Sequence, residues 1–119
     1  MLNESILFYH YPKCSTCKKA MAFLREHGIS FEAIDISRAP PPERDLREMI
    51  RRQGNVRSLF NTSGKSYREG GYATVVKNMS VDDAVKVLAK DGMLIKRPFV
   101  LTGRAALLGF DPKAWAQLA

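Results

Sequence analysis

Apolar residues recur along this chain with a period that switches from two to nearly four and back, and the switches mark its elements. Ile6, Leu7, Phe8 and Tyr9 form a β-prone run that Pro12 stops, predicting a strand over 5–10. From Ser15 onward Ala20, Phe23, Leu24 and His27 fall on one helical face, and Gly28 follows, predicting a helix over 15–27. Phe31-Glu32-Ala33-Ile34-Asp35-Ile36 alternates apolar and polar residues, as a half-buried strand does. A helix between two strands implies a parallel pair with a right-handed crossover. Pro40-Pro41-Pro42 closes this unit and opens a helix over 43–53, with Glu43 beside its dipole. Leu46, Met49 and Ile50 share one face of that helix, Arg44, Arg47, Arg51 and Arg52 lie elsewhere, and Gly54 ends it. Val56 to Phe60 reads as a short apolar turn and Asn61-Thr62-Ser63-Gly64-Lys65 as a loop. Ser80 with Asp83 three residues on has N-cap spacing for a helix that buries Val81, Ala84, Val85 and Leu88 and stops at Gly92. Residues 94–101 and 105–110 read as two strands joined through Thr102-Gly103-Arg104, short enough for an antiparallel hairpin. Asp111-Pro112 starts a last helix anchored by Trp115 and Leu118. The order is βαβ, a helical insertion over about 41–92, then ββα.

The junction between the first strand and the first helix holds both cysteines of the chain, Cys14 and Cys17, within Phe8-Tyr9-His10-Tyr11-Pro12-Lys13-Cys14-Ser15-Thr16-Cys17-Lys18-Lys19. Cys14 falls at or just before the helix N-terminus and Cys17 about one turn in. The thiolate is the reactive form of cysteine, and helix N–H groups with the positive end of the dipole favour it. Lys13, Lys18 and Lys19 add cationic charge nearby. Cys14 is therefore the expected nucleophile, and Cys17 is placed to resolve a mixed disulfide by closing a Cys14–Cys17 bond. Two inert, half-buried thiols are the competing reading, because cysteine packs well as a small hydrophobe. Zinc is not expected, since His10 and His27 lack ligand spacing. A purely structural disulfide would close too short a loop to remove much chain entropy.

Charge and composition narrow the field further. The 119 residues make one domain, 1–119, with 45% hydrophobic and 26% charged residues and a net charge of +7. Neither a membrane-length apolar run nor a signal peptide is evident, and two reactive thiols point to a reducing cytosol. The basic residues are spread along the chain, interrupted by Glu43, Asp45 and Glu48 and not interleaved with aromatic residues. Direct nucleic-acid binding is thus disfavoured relative to a solvated basic surface, an acidic protein partner or an anionic substrate. Gly64-Lys65-Ser66 ends like a phosphate-binding loop, but Leu59 stands where the upstream glycine is needed.

A Cys-x-x-Cys after the first strand of a βαβ…ββα chain is a thioredoxin-like signature, which sets the expected fold class as α/β, glutaredoxin-like, with a helical insertion. In that class a cis proline faces the cysteine pair, and Pro98 is the candidate. Arg97 before it would aim a guanidinium fork at the thiolate or a bound anion, unless it is merely a solvent-facing strand residue.

Tyr9-His10-x-Pro12-x-Cys14-Ser15-Thr16-Cys17-Lys18-Lys19-Ala20, Leu59-Phe60-Asn61-Thr62-Ser63-Gly64 and Arg97-Pro98 together resemble the glutaredoxin-coupled arsenate reductases (ArsC) and the redox regulator Spx, over about residues 5–118. The resemblance implies that Cys14 is the catalytic cysteine of the reductases, or the first cysteine of the Spx switch. Cys17 matches the second switch cysteine; the reductases lack it and use glutathione. His10 matches a histidine near the thiolate, and Arg97 one of three anion-binding arginines. Two of those three are missing: Asn61 stands at one position, and Ala106-Leu107-Leu108-Gly109 spans the other, with Arg68 and Arg104 as candidate spatial substitutes. Each lost charge-assisted hydrogen bond removes about 1.5–3 kcal/mol from oxyanion binding, which argues against efficient arsenate reduction.

Two functions follow, with a third and blander one behind them. The first is a monomeric cytosolic thiol–disulfide oxidoreductase. In it Cys14 attacks, Cys17 or glutathione resolves, and His10, Ser15, Thr16, Arg97 and Pro98 form the anion site. No bound cofactor is expected, and glutathione, a glutaredoxin or a thioredoxin supplies electrons. The second resembles Spx, which binds the C-terminal domain of the RNA polymerase α subunit, with the Cys pair as sensor and the helix from Arg44 to Arg52 as docking face. The third is a thioredoxin-fold adaptor with vestigial thiols.

Overall fold

The computed structural model describes residues 5–119. The chain forms two compact units, one made of the residues up to Asp35 with Arg97–Ala119, the other of Ile36–Lys96. The first contains β1 (Ile6–His10), α1 (Ser15–Glu26), β2 (Phe31–Asp35), β3 (Phe99–Leu101), β4 (Ala106–Leu108) and α6 (Pro112–Trp115). The second contains α2 (Glu43–Gln53), α3 (Lys65–Glu69), α4 (Tyr72–Val75) and α5 (Val81–Lys90), with 3-10 turns at 57–59, 76–78 and 92–94. No helix among the described residues is long and apolar enough to cross a membrane.

In the sheet unit the strand order is β2-β1-β3-β4. β1 and β2 run parallel from Ile6↔Phe31 to His10↔Asp35, with α1 as the crossover. β3 is antiparallel to β1 at Tyr9↔Phe99 and to β4 at Val100↔Leu107. This is the βαβ…ββα, thioredoxin-like arrangement that the periodicity predicts. Side chains alternate across the sheet, so Phe8, Val100 and Leu107 share a face on which Ala20 and Leu24 of α1 and Trp115 of α6 are buried. Trp115 contacts Phe8, Phe23 and Phe110 edge-on and donates its indole N–H to the Gly109 carbonyl at 3.0 Å. Asp111 caps α6 through Lys113 N–H, with Pro112 in the first turn where its missing N–H costs nothing.

The hairpin forms as expected, closed by Thr102, whose Oγ1 accepts from the Arg104 and Ala105 N–H groups at 3.2 and 2.9 Å. The third strand is much shorter than its apolar run suggests. Leu94 belongs to a 3-10 turn, Ile95 bridges Phe60, and β3 begins only at Phe99 after a cis Arg97–Pro98 bond. Pro98 therefore precedes the strand instead of interrupting it. The apolar run serves two partners, Ile95 in the helical unit and Phe99–Leu101 in the sheet, and periodicity cannot divide it.

In the helical unit α2 and α5 bury Leu46, Met49 and Ile50 together with Ala84, Val85 and Leu88. Ser80 caps α5 by accepting from Asp83 N–H at 3.0 Å, as its spacing predicts. Val81 is 41% exposed, contrary to expectation, because the first residue after the cap faces outward. Lys65 starts α3 instead of lying in the loop, and α4 follows. Both helices are too short to show a period. Gly92 is required by close approach: a Cβ there would lie 1.7 Å from the Ile36 carbonyl oxygen.

Candidate active site: two thiols at the first helix N-terminus

β1 delivers the chain to Tyr11, whose carbonyl accepts from Cys14 N–H at 2.9 Å, a tight turn that sets Cys14 at the mouth of α1. Cys14 is the N-cap residue itself, with extended φ −89° and ψ 118°, and its Sγ accepts from Cys17 N–H at 3.4 Å. Ser, Thr, Asn or Asp normally holds this position; here a sulfur does. The first turn of α1 contains no acidic residue, so no carboxylate competes for its orphan N–H groups.

The two thiols are driven apart electrostatically. Burial pushes the Cys14 thiol up. The Cys17 N–H, the Cys17 thiol, the charge of Arg97 and the Thr16 N–H together outweigh burial and hold Cys14 below its ordinary value. Cys17 is 1% exposed, and burial first, then its donation to Cys14 and the neighbouring negative charge, push it up to about 12 against relief from Tyr11 N–H and Arg97. One thiol is thus biased toward its anion and the other kept protonated as a donor to it. Both are free.

The remaining predicted residues divide clearly. Arg97 is half-buried, and its guanidinium carbon sits 5.1 Å from the centre of the Tyr11 ring, a cation–π contact that fixes its orientation. Pro98 is buried and cis, and its carbonyl accepts from Gly109 N–H at 2.9 Å. Thr16 contributes its backbone N–H, while Ser15 is exposed on the first turn. His10 stacks on Phe8 with ring centres 5.5 Å apart. Burial lowers its pKa and the charge of Asp35, opposite it on β2, raises it; the balance is downward, which favours the neutral ring. His10 is not among the groups acting on Cys14.

Lys13, Lys18 and Lys19 are exposed, and the cationic influence on Cys14 comes from Arg97 instead. Water screens a surface ammonium far more than a half-buried guanidinium. Arg104 does not stand in for a missing arginine at the thiol. It occupies the hairpin tip, at the opposite end of the sheet from Cys14, beside an open hollow of about 740 Å³ lined by Ile6, Gly28, Ile29 and Leu118. Arg68 donates to the Ser63 carbonyl at 2.6 Å within the helical unit.

Tyr11 is the residue that sequence reasoning passed over. Its carbonyl seats Cys14, its N–H points to the Cys17 sulfur, and its ring carries Arg97. An aromatic residue between strand and cysteine was the available signal.

A cysteine at a helix N-cap, a buried partner thiol three residues on and an arginine before a cis proline define a thioredoxin-like thiol protein. Comparison with known proteins is more specific. The ArsC family pattern matches residues 9–118, and the chain belongs to the ArsC family. It is 42% identical over 107 residues to the uncharacterized protein YusI of Bacillus subtilis, covering 89% of this chain and 91% of that one. An arsenate reductase of Neisseria meningitidis is 27% identical, with 87% and 89% covered, and the global transcriptional regulator Spx 1 of Lactococcus lactis is 25% identical, with 87% and 80% covered. Among solved structures, a "possible arsenate reductase" from Streptococcus mutans superposes with a TM-score of 0.87 at 39% identity, covering 98% of each chain. The family thus joins reductases and regulators.

Proposed function

We propose that this protein is a thiol–disulfide oxidoreductase of the reducing cytosol in which Cys14 is the nucleophile and Cys17 the resolving thiol. The observation that carries this reading is the opposed pair: a Cys14 thiol held below its ordinary value against a Cys17 thiol pushed up to about 12. In the first step the Cys14 thiolate attacks one sulfur of a substrate disulfide. The Cys14–substrate S–S bond forms, the substrate S–S bond breaks, and the departing thiolate takes a proton from water. Cys14 is then neutral, so the negative charge that raised the Cys17 pKa is gone. Cys17 loses its proton to water and attacks the Cys14 sulfur, closing Cys14–Cys17 and releasing the second substrate thiolate. Two electrons pass from the protein pair to the disulfide, and glutathione, a glutaredoxin or a thioredoxin returns them.

Arg97, with the Ser15–Thr16 turn of the helix, holds an anionic part of the substrate. With the apolar 106–109 stretch where the ArsC resemblance expects an anion-binding arginine, the Arg97 site binds arsenate poorly. Arsenate reduction is therefore slow compared with disulfide exchange.

A regulator reading draws on the same Cys pair and on the likeness to Spx 1. The α2 arginines give it little. Arg44 pairs with Asp45, Arg51 and Arg52 with Glu48, and Arg47 with Asp82, so each cation of the supposed docking face already meets a carboxylate.

Oxidised glutathione and mass spectrometry test the enzyme reading. The wild-type chain yields an internal disulfide, Cys17→Ser accumulates a glutathione adduct on Cys14, and Cys14→Ser remains unmodified. An adduct on Cys17 in Cys14→Ser, or no oxidation of the wild type, contradicts it. Oxidation without catalytic turnover, together with retention of the RNA polymerase α subunit, would favour the regulator.

A further inference from the structure

A second candidate site, independent of the thiol reading, lies wholly within the helical unit. A cavity of about 360 Å³ is lined by Asn55, Arg57, Ser58, Phe60, Asn61, Thr62, Ser63 and Lys96. The Phe60↔Ile95 bridge builds it. Lys96 N–H donates to the Leu59 carbonyl and Asn61 N–H to the Leu94 carbonyl, each at 2.7 Å, which straps two distant stretches together and brings Lys96 to the loop that follows Arg57.

The charge balance of this cavity is one-sided, and several of its acceptors are already used. The Asn61 carbonyl takes Gly64 N–H at 3.0 Å, and the Ser63 carbonyl takes Arg68. Asn55 Oδ1 takes both the N–H and the hydroxyl of Ser58 at 2.8 Å, which leaves the Asn55 side-chain NH₂ as the group on offer. The lining offers neutral donors beside two cations. None of the lining residues is acidic, and neither Arg57 nor Lys96 makes an ion pair among the described residues. The contrast with α2, where every arginine faces a carboxylate, sets the cavity apart from the general basic surface.

We infer that this cavity binds a small dianion, a ligand rich in acceptors and poor in donors: a phosphate monoester or a dicarboxylate. Its volume suits a small metabolite. Arg57 supplies a planar fork, Lys96 a point charge, and Asn55, Asn61, Thr62 and Ser63 neutral donors.

The test is an amide NMR titration of the full chain, at constant ionic strength, with inorganic phosphate in one series and succinate in another. Saturable shifts centred on Asn55–Ser63 and Lys96 are expected with one of them, and which one identifies the phosphate or carboxylate class. The Arg57→Gln, Lys96→Gln double variant should weaken that binding by about tenfold or more. Arg44→Gln with Arg51→Gln removes the same charge and should leave it unchanged. Two outcomes overturn the inference: no saturable shift at these residues with either anion, or equal loss in the two double variants, which would mean general attraction to a basic protein.

Discussion

Trp115, the protein's one tryptophan, is 1% exposed and wedged where β1, α1 and α6 converge, so its removal tests the scaffold that presents Cys14. Truncating a buried Trp to Ala costs about 3–5 kcal/mol, and the edge-on contacts with Phe8, Phe23 and Phe110 place this site at the upper end. The change also orphans the Gly109 carbonyl, which the indole N–H satisfies at 3.0 Å. We therefore expect Trp115→Ala to lose about 4–5 kcal/mol, out of the roughly 6–18 kcal/mol typical of a chain this long. Trp115→Phe keeps most of the ring packing but not the hydrogen bond, and should lose about 1–3 kcal/mol. With a urea slope of about 2 kcal/mol/M, the Ala variant's midpoint falls by about 2 M. The assay is urea unfolding followed by far-UV circular dichroism, because both variants lack tryptophan fluorescence. A loss below about 1 kcal/mol for Trp115→Ala would refute the packing argument. Equal losses for Ala and Phe would assign the effect to the hydrogen bond alone.

Two further predictions concern charge. Arg97→Gln removes the cation beside the thiol and should move the pH midpoint of Cys14 alkylation upward, with Arg97→Lys in between; an unmoved midpoint would exclude Arg97 from the site. Cys17 has an alkaline signature. Folded, it keeps its proton up to about 12; unfolded, it releases it near its ordinary 9.0. Across that window the unfolded chain binds fewer protons, so this group's contribution to stability is intact below pH 9 and falls as pH rises toward 12. Urea midpoints of wild type should therefore drop more steeply over this range than those of Cys17→Ala, and parallel profiles would contradict the burial of the thiol.

Much of this architecture was written in local pattern. The β1–α1–β2 unit, the Ser80 cap, the 102–105 hairpin and the placing of Cys14 at a helix start all depend on neighbours within a few residues, which periodicity and capping chemistry report. What was not legible depends on distant partners. Ile95 and Phe99 read as one strand, because nothing local says that Phe60 claims the first and Tyr9 the second. The Glu48 pairs of Arg51 and Arg52 follow from helical spacing, whereas Arg47–Asp82 needs the packing of α2 on α5. Tyr11 beneath Arg97 and Asp35 beside His10 are likewise products of the fold. The lysines around the cysteines illustrate the converse error: proximity in sequence suggested influence, and exposure removed it.

The ionisation of the Cys14 thiol decides the redox assignment and is measured by pH-dependent alkylation with iodoacetamide in the Cys17→Ser background. Serine keeps a donor next to the sulfur while leaving a single thiol to report. A midpoint clearly below that of a free cysteine is the predicted result, and the rate should follow the thiolate fraction. A midpoint at or above the free-cysteine value would mean that burial wins at this N-cap, and the redox assignment would fall with it.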